Sequence, residues 1–217
     1  MRLLYTTVLF SAAVLTACAD PAANKPKATT TAPSTTTTAT SSQAPTADTK
    51  GMAIGFSPAD SKIEFTGSKV TGKHDGGFKQ FKGTINLVGE KANLSSVNVE
   101  IDMTSLFTDA DGLTKHLMTG DFFEVEKFPK ATFTSTKIDP PAGTAGPFNV
   151  TGDLELRGVK KSIGFPATIR VTPDVISVIA EFSINRKDFG IVYAGKVDDL
   201  IRDDVVIRLE LTPKRAK

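Results

Sequence analysis

The sequence predicts an all-β fold, an eight-stranded antiparallel barrel, and three observations carry that expectation. Apolar and polar residues alternate over long stretches from about residue 62 onward. Turn-forming clusters punctuate those stretches, and only one segment, 109–128, breaks the pattern. Period-two alternation gives a strand one buried face and one solvated face. The first strands are predicted over 62–70 and 78–88, separated by the glycine-rich stretch Gly72 to Gly77. The third, 94–103, sets Val97, Val99, Ile101 and Met103 on one face against Asn98, Glu100 and Asp102 on the other. Asp111 can cap a short helix with Leu113, Leu117 and Met118 on one side, so a helical insertion follows strand three. Strand four spans the Thr-rich 131–138, and Pro140-Pro141-Ala142-Gly143 stops it. Strand five, 147–157, carries Val150, Gly152, Leu154 and Leu156 on one face. Strand six, 161–172, carries Ile163, Phe165, Ala167, Ile169 and Val171. Arg157-Gly158 turns between those two, and Thr172-Pro173-Asp174 turns into strand seven, 175–185. Strand eight, 204–212, presents Val205, Ile207, Leu209 and Leu211. Strands of this length would leave long open edges, which closure into a barrel removes. A two-sheet sandwich is the architectural alternative.

Ahead of these strands the chain changes character. Arg2 precedes an apolar run through Val14-Leu15 that is too short to span a bilayer, so residues 1–17 read as a signal segment. Leu15-Thr16-Ala17-Cys18 resembles the lipobox of bacterial lipoproteins, which implies acyl chains (palmitate among them) on Cys18 and a membrane anchor. Cys18 is the single cysteine, so no internal disulfide is available. Because Ala19 follows it, the sorting expectation for a host with two membranes is the outer one, facing the periplasm. Residues 18–50 are rich in Thr, Pro and Ala, and from residue 21 they contain no aromatic, Leu, Ile or Val. That composition predicts a disordered tether with an r.m.s. span of roughly 30 Å. Residues 51–217 then form one domain with room for a substantial core. Of the chain's 26 basic and 24 acidic residues, four and two fall in 1–50, which leaves the domain with 22 of each. A neutral domain lacks the electrostatic footprint of a nucleic-acid binder.

Several short motifs, in order and spacing, carry a resemblance. They are Val70-Thr71-Gly72-Lys73-His74-Asp75-Gly76-Gly77-Phe78, then His116-Leu117 with Gly120-Asp121-Phe122-Phe123, then Phe128-Pro129. Gly152-Asp153-Leu154-Glu155-Leu156-Arg157-Gly158-Val159 and Asn185-Arg186-Lys187-Asp188-Phe189-Gly190 follow. Over about residues 57–212 the chain resembles the YceI-like family. That resemblance implies a lipocalin-like eight-stranded barrel and an apolar lumen for a long lipid, usually described as a polyisoprenoid. It also admits a homodimer.

The expected lumen contacts are Phe65, Phe78, Phe81, Phe122, Phe123, Phe133, Phe165 and Phe182, with Val99 and Ile101. Individually each Phe also reads as ordinary core; collectively they suit a tube fitted to an apolar chain. His74 is read either as a turn histidine or as a polar contact at the mouth, and Arg186 either as a strand-end closure or as a headgroup contact. No metal is expected, because the two histidines with Asp75 and Asp121 lack ligand spacing. No Gly-x-Ser-x-Gly or His-based triad order occurs, so no catalytic residue and no cofactor is assigned and the chain is expected not to be an enzyme. The functional expectation is a membrane-tethered, lipid-binding lipoprotein for storage or transfer. A stress-related scaffold with a packed barrel is the alternative, and an enzyme acting on an isoprenoid is a third reading.

Overall fold

The computed structural model describes residues 19–34, 51–143 and 146–215. The leader, Cys18 and residues 35–50 lie outside the described residues. The strands, in chain order, are β1 (Thr29–Thr31), β2 (Met52–Phe56), β3 (Ser61–Lys69), β4 (Gly72–Phe78) and β5 (Phe81–Val88). Next come β6 (Lys91–Asp102), β7 (Leu106–Thr108), β8 (Lys130–Asp139), β9 (Phe148–Leu156) and β10 (Val159–Val171). β11 (Ile176–Asn185), β12 (Gly195–Lys196), β13 (Asp199–Leu200) and β14 (Asp204–Leu211) complete the set. One helix, α1 (Asp111–Leu117), lies between β7 and β8.

Twelve of these strands form a single antiparallel sheet, ordered β2-β5-β6-β8-β9-β10-β11-β14-β3-β4-β7, with β1 beside β10. The sheet curls strongly into a half-barrel and does not stack as two layers, so the sandwich alternative does not apply. The eight predicted strands correspond to β3, β5, β6, β8, β9, β10, β11 and β14. Two differences have physical causes. β2 and β7 remain as edges, so backbone pairing does not run full circle. The Gly72–Phe78 segment, expected as a turn, is strand β4, paired from Lys69↔Gly72 to Glu64↔Gly77. Its three glycines supply too few side chains for an alternation signal.

The expected short helix is present, but Asp111 is its first residue and Ala110 occupies the cap, without a side-chain bond. The start is fixed instead by Thr114, whose hydroxyl accepts from the Thr108 amide at 2.9 Å and also bonds the Ala110 carbonyl. The β9–β10 hairpin has Arg157 and Gly158 as its two loop residues, both at positive φ (52° and 71°). Such a two-residue turn matches the twist of its strands, which is why glycine suits its second position. Arg157 tolerates its own because its guanidinium donates to Gly190 O at 2.6 Å and to Gly120 O at 2.9 Å. That grip ties the 109–128 insertion to the barrel.

The expected disordered tether needs correcting over its first part. Residues 20–34 lie against the sheet. β10 and β11 pair only from Thr168↔Ile179 to Val171↔Ile176 and then splay. The amino-terminal segment fills the split. Thr29–Thr31 pair with Gly164, Ile163 and Ser162 of β10, while Ala28 N donates to Ser183 O and Ser183 N to Pro26 O on β11. Pro166 lies in β10 between the two paired stretches; a proline has no N–H to give a ladder and is tolerated at such a break. Gly164 leaves space for the strand, since a Cβ there would come within 2.7 Å of Thr29 Oγ1. Ala22 and Ala28 are buried, and Lys25, Lys27 and Asp20 pair with Glu181, Asp204 and Arg202. The composition concealed this because an inserted strand needs small residues and open backbone groups, not a hydrophobic run of its own.

Candidate ligand cavity

The inward rows of β6, β9, β10, β11 and β14 converge on one cavity of about 190 Å³ inside the curl. For comparison, about 10–15 Å³ suffices to seat one water. The wall exposed to this space is apolar throughout. Val97, Val99 and Ile101 from β6, Leu154 and Leu156 from β9, and Val205, Ile207, Leu209 and Leu211 from β14 all line it. Two aromatic groups punctuate the aliphatic wall. Phe165 and Phe182 stack at 4.1 Å between ring centroids and 10° between planes, with Phe133 at 5.8 Å from Phe165. Phe65 and Phe78 form the second group, 5.9 Å apart. Phe123 and Met103 border the cavity where the insertion after β7 packs over it.

Of the twelve residues expected to touch a ligand, the structure places nine on this wall: Phe65, Phe78, Val99, Ile101, Phe123, Phe133, Phe165, Phe182 and Arg186. The other three lie elsewhere. Phe81 does not line the cavity; it packs against Phe56 of β2 in a cluster with Ile54 and Ile85, which packs against the cavity-lining Val99 and Ile101. Phe122 packs outside the lumen in a T-shaped contact with His116 and a tilted one with Tyr193. His74 sits on β4 at the surface, its Nδ1 2.8 Å from Asp109 Oδ1, and does not reach the cavity.

Arg186 contributes to the wall, yet its donors are engaged elsewhere. Nε bonds Arg202 O at 3.1 Å, one terminal nitrogen bonds Ile191 O at 2.8 Å, and the other reaches Ile201 O and Asp203 Oδ1. A buried guanidinium with this many acceptors pins the 191–203 loop and has little left for a ligand. Glu64, the other ionisable residue at the cavity, also borders a shallow polar cleft with Asp75, Asp109 and Arg208.

The carboxyls held below their ordinary values are Glu100, Asp109, Glu181 and Asp199, none of which lines the cavity. The leading cause is a side-chain hydrogen bond in each: from Lys130 to Glu100, His74 to Asp109, Lys25 to Glu181 and Lys69 to Asp199. Among the described residues no group of three or more His, Cys, Asp or Glu is arranged to hold a metal ion. No helix among them is long and apolar enough to cross a membrane.

Sequence reasoning left most of the aliphatic wall off the list of contacts, although the rows at 150–156, 163–171, 176–184 and 205–211 were legible as alternation. Counting every inward position of those rows, aromatic or not, would have found it.

Residues 55–212 match the sequence model of the YceI-like domain. A protein of Pseudomonas savastanoi pv. phaseolicola described as a UPF0312 protein is 40% identical over 93 residues, 43% of this chain and 47% of that one. The chain thus spans about half the length of that relative. Among solved structures, Burkholderia cenocepacia BcnA is similar at a TM-score of 0.64 and 26% identity, over 71% of this chain and 97% of that one. A polyisoprenoid binding domain from Saccharophagus degradans is similar at 0.60 and 21% identity, over 77% and 100% of the two chains. At that identity the second likeness establishes the shared fold.

Proposed function

The chain belongs to the YceI-like domain family, and from that premise we propose that it is a lipid-binding protein that holds one long apolar chain in the cavity for storage or transfer. The observation that carries this reading is the wholly apolar wall of a cavity of about 190 Å³. Water gains nothing from such a wall, and an apolar guest loses contact with solvent by entering it. Each methylene buried contributes roughly 0.8 kcal/mol, so an isoprenoid or similar chain binds without a polar anchor. The described likeness of a polyisoprenoid binding domain supports this class of ligand. The lipobox at 15–18 supports lipid anchoring at Cys18, which would put the cavity beside its source of cargo. The reading is that of a carrier, and the apolar wall supports binding as its role.

Native mass spectrometry of protein purified from its host, followed by organic extraction, tests the proposal. One long-chain lipid per protomer, released on extraction, is the expected result. A protomer mass equal to the acylated polypeptide alone, with no extractable lipid, would overturn it.

A further inference from the structure

One end of the barrel carries apolar side chains that stand exposed among the described residues. The β12–β13 hairpin pairs Gly195 with Leu200, and Val197 lies at its turn, 95% exposed. Val192, at 66%, precedes the hairpin, and Leu200 and Val70 stand at 49% and 53%. Val70 belongs to the β3–β4 turn and is held beside the hairpin, its N–H donating to Leu200 O at 3.2 Å. These four residues come from two adjacent loops and share one end of the molecule. Lys69 and Lys196 flank them, while Asp199 is engaged by Lys69 and by the Thr71 hydroxyl.

The amino-terminal segment leads to the same end. Asp20 Oδ2 is 3.5 Å from Arg202 NH1, and Arg202 follows the hairpin by two residues and donates its N–H to Ser68 O. Cys18 precedes Asp20 by two residues, a reach of at most about 7 Å along the chain. Since residues 20–31 are docked, an anchor at Cys18 has no long leash. Its acyl chains would have to enter the bilayer close to Arg202, where the uncovered valines are.

We propose that the end of the barrel formed by the β12–β13 hairpin and the β3–β4 turn is a membrane-contact surface, with Val70, Val192, Val197 and Leu200 seated in the lipid interface. The inference rests on the reading of Cys18 as an acylated anchor and goes beyond it. Acylation alone would let a flexible tether hold the barrel in any orientation; the docked segment and the apolar loops select one. The long axis of β11, whose ten residues span roughly 33 Å, then points away from the bilayer. Its far end, the turn at Asp174, stands in water.

The test uses the full chain, acylated in a bacterial host and reconstituted into phosphatidylcholine vesicles. A polarity-sensitive fluorophore is attached through Val197→Cys in one sample and Asp174→Cys in another. An acylated Cys18 has no free thiol, so one label per chain reports correct anchoring. The expected result is a blue-shifted emission at 197, quenched by lipids spin-labelled on their acyl chains and shielded from iodide, with neither effect at 174. One label per chain with position 197 as open to iodide as position 174 would overturn the proposed surface and leave the anchor standing. Two labels per chain would mean an unmodified Cys18 and would overturn both. A blue shift at 197 that appears without vesicles and grows with protein concentration would assign the patch to a second copy of the chain and overturn the membrane assignment.

Discussion

Phe165 and Phe182 stack face to face on the cavity wall, and Ile207 shares that wall with them. The side chains that face the space set how much of it a guest can take. Replacing Ile207 by Trp is expected to fill part of the lumen and lower the amount of co-purifying lipid several-fold while the fold survives. Overpacking costs about 1–3 kcal/mol in a full core, and less where space is already open. The chain contains no Trp, so the substituted indole would be its only one, and blue-shifted emission would place it in the lumen independently of the lipid count. Arg186 behaves differently. Its removal in Arg186→Leu strands the carbonyls of Ile191, Ile201 and Arg202, while Asp203 keeps its ion pair with Lys187 at 2.9 Å. The expected loss in denaturant unfolding is about 1–3 kcal/mol for each of these acceptors left unsatisfied in the interior. Arg186→Lys recovers only part of it, because an ammonium cannot span acceptors that a planar fork reaches. The result that counts against this role is lipid loss without a change in stability.

Among the elements, β1 has only three residues and borrows stability from two ion pairs that precede it, at Lys25 and Lys27. Lys25 and Arg208 both donate to Glu181 and hold its carboxyl below the ordinary value of 4.5. A depressed folded value means that this contribution is fully present above pH 4.5 and is lost as the pH falls through the folded value. Amide exchange at Ala28 and Ser183 is therefore expected to accelerate on acidification, after correction for intrinsic rates, while the Leu156–Val159 pairing of the β9–β10 hairpin keeps its protection. Glu181→Gln should abolish the pH dependence; if protection at Ala28 still collapses in acid, the pair is not the cause. The same element marks the limit of what the sequence discloses. Rows such as Val205-Ile207-Leu209-Leu211 announce their inner face because burial demands alternation. The segment Pro26 to Thr31 announces nothing, since its place is set by backbone groups that β10 and β11 leave open. β4 is hidden for a related reason, with Gly72, Gly76 and Gly77 where side chains would have shown a pattern. For the cavity, Phe81 and Phe122 show that the residue type alone does not say which core an aromatic joins. Phe81 faces β2, and Phe122 faces the insertion.

At the scale of the whole molecule, the proposed guest would substitute for core that the cavity lacks. Lipid-free protein is expected to unfold at a lower temperature than loaded protein, and a long apolar ligand at 100 times its Kd should restore about 2.7 kcal/mol. Calorimetry on extracted and reloaded samples measures the difference. Equal midpoints would mean that the lumen is not occupied in the native state. Synthesis imposes its own order on this architecture. Thr30 is among the first folded residues to be made, yet its partner Ile163 lies more than 130 positions further along the chain. β3 likewise waits for β14, with Phe65 opposite Ile207. Pairings so distant in sequence form slowly. The emerging chain therefore carries unmatched strand edges until its last third appears, a period of sticky vulnerability in which an escorting chaperone has the most to protect.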